Sequence, residues 1–230
     1  TLSLHDALPI CTFDEFESFH ENTEKDGNRF SRSFQVNESE PLDTGHVAYK
    51  GEAAIHEVED TETVEIDPDT GKIEVSEGGH VGGKYTEFVA VPGEFIAVDS
   101  SSGTFAFQLV QEQHPGTFIE RVELDLNEYA EKYYKAEGVN PWQVGFYGNI
   151  GEAEKGVVYG DDVFSDGEVG DVLDRSYLNQ LGLEYGIQNV DMKMTMTESG
   201  YVEVYNPSNF KFDEYATYIV DEILKYIKEE

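Results

Sequence analysis

Short apolar or alternating runs, punctuated by Gly, Pro, Asn and Asp, fill positions 46–120 and predict one strand after another. Thr63–Ile66 and Ile73–Val75 flank Asp67-Pro68-Asp69-Thr70-Gly71, a turn with Pro in its second position. Tyr85–Val91 and Phe95–Val98 are separated by Pro92-Gly93, and Thr104–Val110 alternates again after the polar break Asp99–Gly103. The region reads as a β meander. Upstream, residues 12–45 are polar with scattered Phe. The Phe13/Phe16 and Phe16/Phe19 spacings suit one short helix face, Asp26–Asn28 break it, and one strand is expected at Phe30–Val36. This segment is expected to be a weakly held arm.

Residues 121–230 mix the two periods. Asp125 with Glu128 three positions on resembles a capping box, opening a helix with Leu126, Tyr129, Ala130 and Tyr133 on one face. Trp142–Tyr147 and Gly156–Tyr159 are strand candidates, Val169–Arg175 a short helix, and Leu178–Tyr185, Met192–Thr197 and Tyr201–Tyr205 three successive strands. Phe212, Tyr215, Ala216, Ile219, Ile223, Tyr226 and Ile227 form a single stripe on a C-terminal amphipathic helix, expected to cover one face of the preceding sheet. The expected class is therefore α+β: antiparallel meanders with a few helices packed on one face, and 46–120 and 121–230 forming one continuous domain.

Charge changes the picture next. The chain carries 48 acidic against 15 basic residues, a net of −33 on 230 residues. At ordinary ionic strength such a surface repels itself and opposes compaction. In molar salt the Debye length falls to about 3 Å, so the like charges hardly see one another, and carboxylates keep the protein hydrated. The expectation is a haloadapted, cytoplasmic protein with K+ as its solvent ion. A protein that mimics the DNA backbone is the competing account, but the carboxylates run along the whole chain rather than in one stripe. Direct nucleic-acid binding lacks its footprint, since Lys and Arg nowhere cluster. No apolar run approaches the ~20 residues of a membrane span.

Residues 1–10, TLSLHDALPI, equal the translation of a sequencing-adapter string, and Cys11 falls on the codon at the junction. Residues 1–11 are therefore expected to be an artefact, with the true start missing and a lost signal peptide left open. His5 and Asp6 leave the functional argument. Without Cys11, no disulfide, zinc–thiolate site or Cys nucleophile can be built.

Several motifs approach known chemistry. Gly78-Gly-His-Val-Gly-Gly-Lys84 fits the skeleton of a phosphate-binding loop, but Tyr85 stands where magnesium needs Ser or Thr, and a strand rather than a helix follows. A hairpin loop is expected there instead. His56-Glu57 begins a zinc-helix motif that ends on Asp60. Asp67, Asp69 and Gly71 recur in calcium loops, yet Gly78 occupies the position of the bidentate Glu. Asp161, Asp162, Asp166, Glu168 and Asp171 form the densest carboxylate group, the candidate site for Mg or Ca and for acid–base work. No other cofactor is indicated.

Two further patterns suggest a ligand or partner face. Gly45-His46-Val-Ala-Tyr-Lys50 and Gly79-His80-Val-Gly-Gly-Lys84 share G-H-V-x-x-K, 34 residues apart, which would mark two similar strand openings presenting His46, Lys50, His80 and Lys84 together. Among the 14 Tyr, Tyr133 and Tyr134 are adjacent and Tyr201 and Tyr205 share one face of a strand, a plausible protein-interaction surface rimmed by carboxylates.

Tyr85-Thr-Glu-Phe-Val-Ala-Val-Pro-Gly-Glu-Phe95, Asn179-Gln-Leu-Gly-Leu-Glu-Tyr185 and Ser199-Gly-Tyr-Val-Glu-Val-Tyr-Asn-Pro-Ser208 resemble haloarchaeal hypothetical proteins of an uncharacterised family. The resemblance covers about residues 85–230, implies a haloarchaeal source and carries over no site residues.

With no complete catalytic or cofactor motif, the leading expectation is a non-catalytic binding or assembly module whose partner is a protein or a second copy. A Mg-dependent hydrolase or phosphoryl-handling enzyme using Asp161–Asp171 is the alternative, and a nucleic-acid-associated accessory protein or DNA mimic the third. Far-UV circular dichroism of residues 12–230, from low salt to multimolar KCl, is expected to show structure gained with salt. A chain fully folded at low salt would instead assign the charge to a partner.

Overall fold

The computed structural model describes residues 3–4, 16–25, 27–133, 138–150, 153–187 and 190–228. Its strands are β1 (Ser3–Leu4), β2 (Phe19–Lys25), β3 (Asn28–Pro41), β4 (Val47–Ile66), β5 (Ile73–Val91) and β6 (Phe95–Val98), then β7 (Asn140–Ile150), β8 (Ala153–Tyr159), β9 (Tyr177–Ile187), β10 (Val190–Thr197) and β11 (Val202–Asn206). Helices are α1 (Phe105–Gln113), α2 (Leu126–Tyr133), α3 (Gly167–Leu173) and α4 (Phe212–Tyr218), the last continued by a π turn at Ile219–Ile223 and a 3-10 turn at Leu224–Tyr226. The strands form two antiparallel sheets, ordered β2-β3-β4-β5-β6 and β1-β11-β10-β9-β7-β8. The class is α+β, as the sequence pattern predicts.

The five-stranded sheet is buried on both faces near its base. One face sets Phe34, Ala53, Phe88, Ala90, Ile96 and Val98 against Phe16 and against Ala106, Leu109 and Val110 of α1. The other places Ala48, Val89, Val91, Phe95 and Ala97 in a larger core shared with α2, α4 and the inner face of the six-stranded sheet. Burial on both sides explains why Phe88–Val91 and Phe95–Val98 are continuous apolar runs rather than alternating ones. The C-terminal stripe therefore lies between two sheets instead of covering one. Tyr129, Tyr185 and Tyr218 meet inside that core, with hydroxyl separations of 3.2 Å (Tyr129–Tyr218) and 2.7 Å (Tyr185–Tyr218), so the buried phenols satisfy one another.

Three expectations change. Thr104–Val110 is not a strand: Phe105–Gln113 is helical, and Ala106, Phe107, Leu109 and Val110 are buried. A short apolar run fits either period, and the open face of the five-stranded sheet selects the helix. Phe16 and Phe19 do not share a helix, because Phe16 precedes β2 and Phe19 begins it; Phe13 lies outside the described residues. Residues 16–41 are not a loose arm. Phe34 is 1% exposed and stacks on Phe88 at 4.0 Å between ring centroids. Of the expected capping box one half forms: Asp125 Oδ1 accepts the Glu128 N–H at 2.9 Å, while the Asp125 N–H donates to the Tyr226 carbonyl at 2.7 Å.

Gly51 is directly opposite Phe88 in the β4–β5 ladder, and the Phe88 ring lies across it. A Cβ at Gly51 would fall 2.0 Å from the Gln35 carbonyl oxygen and 2.5 Å from Phe88 Cζ. Rotamer changes relieve only the second contact. Gly51→Ala is expected to lower the unfolding free energy by about 2 kcal/mol or more, read from the denaturant midpoint at constant slope. An unchanged midpoint would contradict this packing.

Candidate functional site

Each carboxylate of the Asp161–Asp171 group has a separate place. Asp161, Asp162, Asp166 and Asp171 are exposed, and the Glu168 side chain lies outside the described residues. The Asp162 backbone N–H donates to Asn140 Oδ1 at 2.7 Å, while Asp166 Oδ1 accepts the Val169 N–H at 2.9 Å as the cap of α3. Among the described residues, no three His, Cys, Asp or Glu side chains gather where they could hold a metal ion.

The Gly78–Lys84 stretch is not a hairpin loop. It is strand throughout, paired from Gly78 opposite Thr61 to Lys84 opposite Ile55. The turn is at Asp67–Gly71, where Asp67 Oδ1 accepts the Asp69 and Thr70 N–H groups at 2.9 and 2.7 Å. The Thr70 backbone bond leads in holding the Asp67 carboxyl below its ordinary range. His56 is also in a strand, and its Nδ1 accepts the Ser31 N–H at 3.2 Å.

The G-H-V-x-x-K echo does not mark two equivalent strand openings. His46 precedes β4, with Nε2 3.4 Å from Glu94 Oε1, whereas His80 and Lys84 are in the middle of β5. Lys50 is opposite Val89, while Lys84 and His80 are opposite Ile55 and Glu59. Side chains alternate between faces along a strand, so Lys50 lies on one face and the Lys84/His80 pair on the other. Each also has an acidic neighbour: Lys50 with Glu87 at 4.0 Å, Lys84 with Glu57 at 2.6 Å and His80 with Glu59 at 3.6 Å.

Tyr205 is in β11 and Tyr201 immediately precedes it; Val202 and Val204 between them are buried. Tyr201 donates to Glu203. Tyr205 packs edge-on to Trp142 at 6.1 Å, and partial burial, then the Glu203 carboxylate, raise its phenol to about 12. Tyr134 and the Tyr133 side chain lie outside the described residues.

A different surface stands out. Beyond Ile55 and Lys84 the β4–β5 pair leaves the sheet and continues in unbroken register to Ile66 opposite Ile73. It forms a projecting two-stranded ribbon. Positions 61–80 are exposed on both faces. Directly opposed residues share a face, so Val58/Val81, Val64/Val75 and Ile66/Ile73 form an aliphatic stripe on one face, interrupted by Asp60/Gly79 and Glu62/Glu77. Their exposures run from 36% at Val81 to 63% at Ile66. The opposite face carries Glu57, Glu59, Thr61, Thr63 and Glu65. At the fork where the ribbon leaves β3, a groove of about 490 Å³ is lined by Phe30, Arg32, Ile55, Val58, Phe105 and Leu109. Val58 belongs to both groove and stripe.

The sequence pattern showed only the tip of this hairpin. The missed signal is the pairing that an in-register turn at Asp67–Gly71 imposes, which brings every aliphatic residue between 58 and 81 opposite another.

No described helix is long and apolar enough to cross a membrane. No protein-family model and no curated protein matches the chain.

The ribbon contributes no residue beyond Ile55 to either hydrophobic core. Replacing positions 57–82 by Asn-Gly, so that a two-residue turn joins His56 to Gly83, is expected to change stability in multimolar KCl by less than about 1 kcal/mol. A larger loss in a thermal melt would show that the ribbon supports the body.

Proposed function

We propose that this protein is a non-catalytic binding or assembly module of a potassium-rich cytoplasm, and that the β4–β5 ribbon is its docking element. The observation that carries this is the stripe Val58/Val81, Val64/Val75, Ile66/Ile73 held away from the body in water. Leaving six aliphatic side chains in solvent forgoes burial worth roughly 25 cal/mol per Å². A partner recovers that energy.

The charge supports the same setting. Between positions 57 and 82 the ribbon has nine carboxylates and one lysine, which keep an apolar arm soluble when nothing covers it. At low salt this charge repels other acidic surfaces, and at molar KCl it does so only within a few ångströms. Docking through the stripe is therefore a high-salt event, in keeping with a haloarchaeal source.

A photo-crosslinking amino acid at position 64, in cells with molar internal KCl, is expected to yield a discrete protein adduct. The same group at position 59, on the acidic face, is expected to yield none. Absence of any adduct from position 64 would sink the docking role.

A further inference from the structure

The stripe has an internal symmetry that names its occupant. Along β4, Val58 and Ile66 are each four residues from Glu62, and along β5, Val81 and Ile73 are each four residues from Glu77. Glu62 and Glu77 are directly opposite each other on the same face as the stripe. The ribbon face thus has an apolar base, an acidic centre and an apolar tip, with about 26 Å between base and tip at the rise of a strand.

We propose that two copies of this chain pair through their ribbons, antiparallel, about a two-fold axis at Glu62/Glu77. This rests on the docking role given to the ribbon above. In that arrangement Ile66/Ile73 of one copy meet Val58/Val81 of the other. Val64/Val75 meet Asp60/Gly79, where Gly79 has no side chain and Val58 leans across it, since a Cβ there would be 2.8 Å from Val58 Cγ1. A two-fold pairing uses the same patch twice, which this base–centre–tip layout allows.

Area supports a second copy. The exposed aliphatic surface of the stripe is on the order of 500 Å² per copy, so pairing buries about 1,000 Å², the lower bound for a specific interface. Direction follows from charge. The antiparallel arrangement puts the two acidic bodies at opposite ends of the paired ribbons, whereas a tip-to-tip parallel one would crowd them together. It also gathers the four Glu62 and Glu77 carboxylates at the axis with one Asp60 on either side, so association requires salt to screen them.

Sedimentation equilibrium of the purified full chain across a KCl series tests this. The expected result is monomer at low salt and dimer at molar KCl. Ile66→Glu and Val75→Glu, both at exposed positions, are expected to hold it monomeric at every salt while circular dichroism stays unchanged. Glu62→Gln with Glu77→Gln is expected to tighten the dimer by about tenfold or more at low salt. Spin labels at Thr70→Cys, in a Cys11→Ser background, are expected to lie about 45 Å apart in the dimer. A monomer at all salts, a dimer indifferent to Ile66→Glu, or labels within about 20 Å would each overturn the pairing. If the purified chain stays monomeric while position 64 crosslinks to another protein, self-pairing fails and the docking role stands. If both experiments are negative, both fail.

Discussion

Unbroken antiparallel pairing of β4 with β5, from Tyr49 opposite Ala90 to Ile66 opposite Ile73, is the constraint from which the rest of the molecule follows. Near the base this ladder is the middle of a sheet, flanked by β3 and β6 and buried on both faces. Its small residues Gly51, Ala53 and Ala90 let Phe34 and Phe88 lie flat against it, and α1 closes that side. On the other side Val89 and Val91 join the core that α4 shares with the second sheet. Further out the same ladder has no neighbours. Because side chains alternate with period two, a register set in the core dictates which residues share a face at the tip.

Charge organises the surface as that ladder organises the interior. The cations are largely spent locally: Lys132 and Lys225 flank Glu222, and Lys193 pairs with Glu184. Although burial works the other way, the two lysines hold the Glu222 carboxyl below its ordinary range. Elsewhere acids outnumber bases so heavily that most have no counter-ion within the chain. Exposed ion pairs contribute little in high salt. Compactness therefore rests on the two apolar cores.

Much of the architecture was legible in residue order. The Asp125 cap, the Asp67–Gly71 turn, the strands of the second sheet and the C-terminal stripe all follow from short-range rules: a side-chain oxygen within reach of an orphan N–H, a φ only Gly adopts readily, a period of two or 3.6. Thr104–Val110 was ambiguous because its apolar residues satisfy both periods, and only the sheet beneath it distinguishes them. The ribbon was hidden for another reason. Glu57–Thr63 and Ser76–Gly83 are poor strand formers, and each is extended because its partner across the ladder is extended.

The same division holds for the candidate sites. Residue order alone determined the acidic balance, the turn, the caps and the class of fold, because each depends on neighbours within a few positions or on composition. It also brought Asp161–Asp171 together as a carboxylate group and His46, Lys50, His80 and Lys84 as a face. Proximity along the chain does not fix direction, and β-strand alternation sends Lys50 and Lys84 to opposite sides. Tertiary structure decided which apolar residues are left uncovered. Val64 and Val89 are both valines in the β4–β5 ladder, one 57% exposed and the other 3%. What separates them is the presence or absence of a second layer, a property of the whole fold that no local pattern contains.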